Sequence, residues 1–262
     1  MSAMNVDVDL IVINYKTYDL LSAFVHSYHR FRPKRSSRLT IVDVDAADTT
    51  AIDALEADQR IAVGFNCGYA HAANLAASRA DGAVLAFFNA DTRFVNDTCV
   101  DRCCEFLAQN EKVAIVGPLQ YSSDGQATFA GTFGSMKKRF HRGWRSPELD
   151  SFRDTRKALT VSGSAYFIKR AVWDRLTRCE IYQRLHPGVP GAFLPTPHYF
   201  EETACSYHAW AHGYEVWYVG AAEMIHEWHR ASPVGGWADQ QFPVSKEIFV
   251  RFCKAHGIPH DE

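Results

Sequence analysis

The amino-terminal half spaces short apolar runs at regular intervals, and an asparagine or aspartate stands at or just past the end of each. Residues 9–14 (D-L-I-V-I-N), 39–44 (L-T-I-V-D-V), 60–63 and 83–89 are β-branched or apolar stretches of strand length. Between them, residues 17–31 and 69–80 carry helical periodicity, and 45–57 is a weaker helix candidate. Residues 96–110 follow the last strand, with Asn96 or Asp97 as N-cap. Strands alternating with helices predict an α/β fold with a Rossmann-like, mainly parallel central sheet flanked by helices. Such sheets bind ligands at the carboxyl ends of their strands. Asn14, Asp43, Asn66 and Asp91 all fall at or just beyond those ends.

At 262 residues, 47% hydrophobic and 22% charged, the chain can bury a sizeable core as one domain or two closely fused halves. We divide it into two halves, residues 1–112 and residues 113–262. The formal charge of −2 gives no global electrostatic reason for a nucleic-acid or membrane partner. No apolar run reaches the roughly 18 residues of a membrane span, and the start, M-S-A-M-N-V-D-V-D, lacks the basic residues of a signal peptide. A cytoplasmic protein is expected. Seven cysteines without a C-x-x-C pair read as reduced, mostly buried thiols rather than a disulfide frame or zinc site.

The second half has another texture. Residues 113–119 form a strand, and 121–151 run through glycines, serines and basic residues as a long loop or small excursion. Residues 159–168 resume strand character, and 186–197 are irregular, with four prolines and two glycines. A helix is expected from Glu201 to Gly213, then a strand over 214–219 and a closing helix over 240–256.

The segment 84–94, V-L-A-F-F-N-A-D-T-R-F, carries the first chemical signal. A carboxylate at the exposed end of a buried strand is placed to hold a divalent cation against a diphosphate, which points to nucleotide-sugar chemistry. Further clusters stand around it: I-V-I-N-Y-K at the first strand, T-I-V-D-V-D at the second, N-C-G-Y-A-H-A-A-N from Asn66, V-S-G-S-A-Y-F-I from Val161, Y-F-E-E-T-A from Tyr199 and M-I-H-E-W-H from Met224.

In this order the clusters resemble family 2 glycosyltransferases of the GT-A fold, close to the rhamnosyltransferase-like branch, over most of the chain and with an acceptor-side extension. The resemblance implies that Asn14 and Tyr15 frame the nucleotide base and that Asp43 binds base or ribose. The pattern departs after Asp43, where Val44, Asp45 and Ala46 replace the family's usual continuation. Without the family, Asp43 and Asp45 read as a solvated turn with N-cap character. Gly68 brings backbone close to the donor at a helix N-terminus, and Asn66 and Asn74 supply amide contacts. His71 replaces a small residue there, and Tyr69 reads equally as a core aromatic. Asp91 is the metal ligand of an N-x-D element in which Asn89 orders the site by hydrogen bonds. Gly163 and Ser164 leave room for sugar. Glu202 or Glu201 is the catalytic carboxylate that activates the acceptor hydroxyl as general base, and His226, or His229, completes the metal site.

The implied activity is metal-dependent, inverting transfer of a sugar from a UDP-, GDP- or dTDP-linked donor to an acceptor hydroxyl, with Mg2+ or Mn2+ as cofactor. The acceptor is expected on a glycan, lipid-linked or free; nucleic acid and protein are alternatives. The basic run 137–145, K-K-R-F-H-R-G-W-R, fits a lid over donor phosphate, a contact to lipid phosphate or nucleic acid, or a solvated mobile loop. Rival readings are a nucleotidyltransferase, which wants a glycine-rich loop that residues 14–20 lack, and a non-catalytic sugar-nucleotide or glycan binder.

Overall fold

The computed structural model describes residues 6–228 and 235–260. In chain order the first half contains β1 (Val8–Asn14), α1 (Tyr18–Arg30), β2 (Ser37–Asp43), β3 (Gln59–Ala62), α2 (Tyr69–Ala77), β4 (Val84–Asn89), β5 (Thr92–Phe94) and α3 (Cys99–Gln109). The second half adds β6 (Val113–Tyr121), β7 (Ala127–Phe129), β8 (Thr132–Ser135), β9 (Lys138–His141), β10 (Thr155–Lys157), β11 (Ala165–Lys169), α4 (Arg170–Thr177), α5 (Glu180–Leu185), α6 (Glu201–Ala211), β12 (Glu215–His226), α7 (Trp237–Gln240) and α8 (Phe242–Ala255).

One mixed sheet runs in the order β10-β12-β6-β11-β4-β1-β2-β3. β3, β2, β1 and β4 are mutually parallel, and β6 and β12 are parallel to each other. β11 lies antiparallel between β4 and β6 and joins the two groups. β1 is buried along its whole length, as a strand covered on both faces must be, which is why it reads as an almost unbroken apolar run. Successive side chains go to opposite layers: Leu10, Val12 and Phe88 pack with Phe24 and Cys103 on the α1 and α3 side. Ile11, Ile13 and Phe87 pack with Trp173 and Cys205 on the α2, α4 and α6 side. The one charge inside β1, Asp9, is satisfied by Arg38 Nε at 2.7 Å and by the Asp81 and Gly82 amides at 3.0 and 2.7 Å.

Three expectations change. Residues 45–57 are turns rather than a helix, because short polar side chains take the backbone donors: Asp43 Oδ1 accepts from the Asp45 and Ala46 amides, and Asp48 Oδ1 from Thr50. The Arg60 guanidinium then binds the carbonyls of Ile52, Leu55 and Ala57. The strand expected from residue 159 starts only at Ala165, since Ser162, Gly163 and Ser164 form a turn in which the two serine hydroxyls lie 2.7 Å apart. Of the two readings of 121–151, the structure has the small excursion: β7 pairs with β6, and β8 pairs with β9 as a separate hairpin. Within the basic run 137–145, Lys138–His141 is the second strand of that hairpin, with Lys138, Phe140 and His141 still exposed, and the rest is turn. β12 also outlasts its expected end, passing an irregularity between Val219 and Glu223 before reaching His226.

Candidate active site

The carboxyl ends of β1, β2 and β4 open on one edge of the sheet, and two cavities lie there. The larger, about 630 Å³, is lined by Asn89, Asp91, Glu201, Glu202 and His226 among others. The smaller, about 180 Å³, is lined by Tyr15, Val44, Asn66, Gly68 and Asn89. Tyr69, Asn89 and His198 line both and form the wall between them.

Strand register brings Asp91 to His226. After β4 the chain turns through Ala90 and Asp91 into β5, which pairs antiparallel with the end of β12 so that Thr92 faces His226. The Glu227 amide donates to the Asp91 carbonyl at 2.9 Å and fixes the crossing. His226 Nε2 and Asp91 Oδ1 then stand 3.6 Å apart, both side chains nearly closed to solvent. A hard carboxylate oxygen and an imidazole nitrogen at this separation, beside a cavity that can supply diphosphate oxygens and water, fit a divalent cation of the Mg2+ or Mn2+ class. His229 lies outside the described residues.

Glu201 and Glu202 open α6 after an unusual approach. Tyr199 and Phe200 both hold positive φ, 69° and 71°, a region aromatic residues rarely occupy. Packing supplies the compensation: Phe200 stacks on Phe249 at 4.8 Å and contacts Phe242 at 5.3 Å. Glu201 is buried, with Thr196 Oγ1 3.3 Å from its Oε2. Burial first, and the charge of Glu202 second, push its carboxyl up to about 8. Glu202 is half-buried; burial also raises its carboxyl, but backbone N–H donors at the helix start and the nearby Arg139 guanidinium oppose the shift. The hairpin carries Arg139 to the cavity, where its guanidinium lies 5.9 Å from the Phe200 ring and 3.3 Å from the Tyr207 hydroxyl.

Gly163 closes the opposite wall. A Cβ there would stand 3.4 Å from Glu202 Cδ, and its carbonyl accepts the Tyr69 hydroxyl at 2.7 Å. Tyr69 is thus both packed and hydrogen-bonded across the site. Ser164 donates its hydroxyl to Gln120 Oε1 at 2.7 Å.

The remaining candidates divide. Tyr15, Asn66, Gly68 and Asn89 meet around the smaller cavity. Gly68 has φ 77°, and a Cβ would meet the Pro197 carbonyl at 2.4 Å, so only glycine fits. Asn14 and Asp43 line neither cavity. Asn14 Nδ2 donates to Asp43 Oδ2 at 3.2 Å and Asn14 Oδ1 accepts from Thr17, so the pair secures the turns that present Tyr15 and Val44. Asn74 also lies away from both cavities: its amide donates to the Phe193 carbonyl at 2.8 Å and accepts from the Phe193 amide at 3.1 Å. It anchors the 190s segment that leads to the acids.

The sequence profile described as Glycosyl transferase family 2 matches residues 9–176. A search of curated proteins by sequence gives no significant match. Among solved structures, the mannosyltransferase PcManGT from Pyrobaculum calidifontis, in complex with GDP-Man and Mn2+, superposes with a TM-score of 0.63 at 15% identity over 99% of this chain and 67% of that one. GalNAc-T7 with UDP, GalNAc and Mn2+ gives 0.62 at 14% identity, covering 98% of this chain, which spans only 55% of that protein. Glucosyl-3-phosphoglycerate synthase from Mycobacterium tuberculosis gives 0.57 at 14% identity, over 97% of this chain and 81% of that one. At these identities the likeness shows the fold, which is GT-A.

Proposed function

The chain belongs to glycosyl transferase family 2, and on that premise we propose that it transfers a sugar from a nucleoside diphosphate donor to an acceptor hydroxyl, with inversion at the anomeric carbon. The observation that carries this reading is the convergence of Asp91, His226 and the adjacent pair Glu201 and Glu202 on one cavity from three separate stretches of chain. The base and ribose lie against Tyr15, Val44 and Asn66 in the smaller cavity, on turns that Asn14 and Asp43 secure. The diphosphate crosses the wall at Asn89 into the larger cavity.

Asp91 and His226 would hold Mg2+ or Mn2+, which when bound neutralises charge on the departing nucleoside diphosphate. The structural neighbours in complex with Mn2+ and GDP-Man or UDP support that choice of cofactor and donor class. The rhamnosyltransferase-like branch rests on the motif order in the sequence.

We assign the general base to Glu202. It reaches the cavity beside Gly163, and Arg139 and the helix-start donors favour its ionised form. Burial and the neighbouring Glu202 push Glu201 up to about 8, which favours its protonated form and leaves the base role to Glu202. An attacking hydroxyl gives its proton to Glu202 as it bonds to the anomeric carbon, and the donor's diphosphate leaves from the opposite face.

For the acceptor we propose a glycan, lipid-linked or free. Trp144 and Trp228 line the larger cavity with ring centroids 4.1 Å apart in an edge-to-face pair, and their exposed faces suit the apolar faces of sugar rings. No helix among the described residues is long and apolar enough to cross a membrane. The direct test is release of nucleoside diphosphate from UDP-, GDP- and dTDP-sugars with Mn2+ and a panel of glycan acceptors, with the anomeric configuration of the product read by NMR. No turnover with any donor, or a product of retained configuration, contradicts the reading.

A further inference from the structure

A second cluster of ligand-type side chains lies away from the catalytic cavity, where the start of α5 meets α6 and α8. Cys179 is the N-cap of α5, His208 lies in α6 and His256 is the C-cap of α8. One ligand atom from each falls within 4.8 Å of the other two. His208 is fully buried, and neither of its ring nitrogens, nor Nε2 of His256, has a hydrogen-bond partner among the described residues. Buried polar atoms are nearly always partnered, so three orphaned nitrogens in one spot need a cause. The His208 and His256 rings meet edge to face at 4.5 Å, and the His212 ring stands 4.7 Å from His208 on another side. Burial holds both rings neutral, His208 pushed down to about 2 and His256 to about 4. A neutral imidazole is the form that ligates metal.

We propose that Cys179, His208 and His256 form a structural site for a transition-metal ion of the zinc class. A thiolate and two imidazoles match that ion's preference, and the fourth position falls to water or His212. Tetrahedral zinc sets neighbouring nitrogen and sulfur ligands roughly 3.3–3.6 Å apart, so the three atoms need close by no more than about 1.5 Å through side-chain rotation. Binding releases the Cys179 thiol proton to solvent. The ion ties α8 and the turn before α5 to α6, the helix whose first turn carries Glu201 and Glu202. The wide sequence separation of the three residues hides the site from any short motif, which is why the cysteines read as inert thiols.

The test is titration of the full chain with Co2+, followed by displacement with Zn2+. The catalytic cavity offers no sulfur, so a thiolate-to-cobalt charge-transfer band reports this site and not Asp91. We expect one equivalent of Co2+ with that band, its displacement by Zn2+, and a higher Tm with Zn2+. The band should survive in Asp91→Asn and disappear in Cys179→Ser. Affinity in Cys179→Ser and in His256→Gln should fall by roughly 100-fold or more, beyond the effect of losing an outer-shell partner. His256→Gln stands at a helix end, so it keeps the test sound if the cysteine variant folds poorly. Absence of the band in the wild type, or its persistence in Cys179→Ser, overturns the proposal.

Discussion

His226 Nε2 stands 3.6 Å from Asp91 Oδ1 because the three-residue strand β5 pairs with the last residues of β12. The proposed cation-binding pair is therefore built by backbone register, and side-chain substitution in it should change chemistry more than folding. His226→Gln is expected to keep the fold and weaken the Mn2+ dependence of donor binding by roughly 10–100-fold, read by calorimetric titration. Unchanged Mn2+ dependence would remove His226 from the site.

Glu202→Gln is expected to lower kcat by about 100- to 10,000-fold with little change in donor affinity, because the amide keeps the shape and loses the base. Glu201→Gln should cost far less. Steady-state kinetics on both variants decide the assignment, and the reverse ranking would exchange the two roles. A non-catalytic binder would be indifferent to both.

Glu201 also makes a prediction about stability. Its folded carboxyl is raised to about 8 against an ordinary value of 4.5, so the unfolded chain loses this proton first. The favourable contribution is complete below pH 4.5 and disappears as pH rises through about 8, with a slope approaching ~1.4 kcal/mol per pH unit. Glu201→Gln should therefore gain stability over the wild type as pH rises from 5 to 8, measured by urea unfolding. Parallel pH profiles would show that Glu201 is ionised in the folded protein.

Arg139 favours the charged form of Glu202. Arg139→Ala should raise the Glu202 carboxyl further and move the acidic limb of the kcat/KM profile to higher pH. An unmoved limb would mean that the hairpin cation does not act on the base.

Much of this was legible in the sequence because the strand-end residues obey simple rules. An apolar run such as 84–89 buried on both faces has to be an interior strand, and polar residues just past its end have to face the ligand edge. The positions of Asn66, Asn89 and Asp91 follow from that, while those of Tyr15 and Gly68 come from the family resemblance. Asn14 and Asp43 show the limit, since polar side chains at such ends can be consumed by the protein's own turns, and Asn74, inside α2, is likewise consumed by the Phe193 backbone. The left-handed Tyr199 and Phe200 left no signal, because aromatic residues there are held by tertiary packing on α8 and not by local preference. Arg139 sat in a visible basic run, but only the β8–β9 pairing aims it into the cavity.

The central claim is that Asp91 anchors a metal-dependent nucleoside diphosphate site. Its most direct test is calorimetric titration of the wild type and Asp91→Asn with UDP, GDP and dTDP, each with and without Mn2+. At least one diphosphate should bind the wild type in a Mn2+-dependent manner, and Asp91→Asn should lose the Mn2+ enhancement while remaining folded. Binding that ignores both Mn2+ and Asp91, or no binding of any diphosphate, would contradict it.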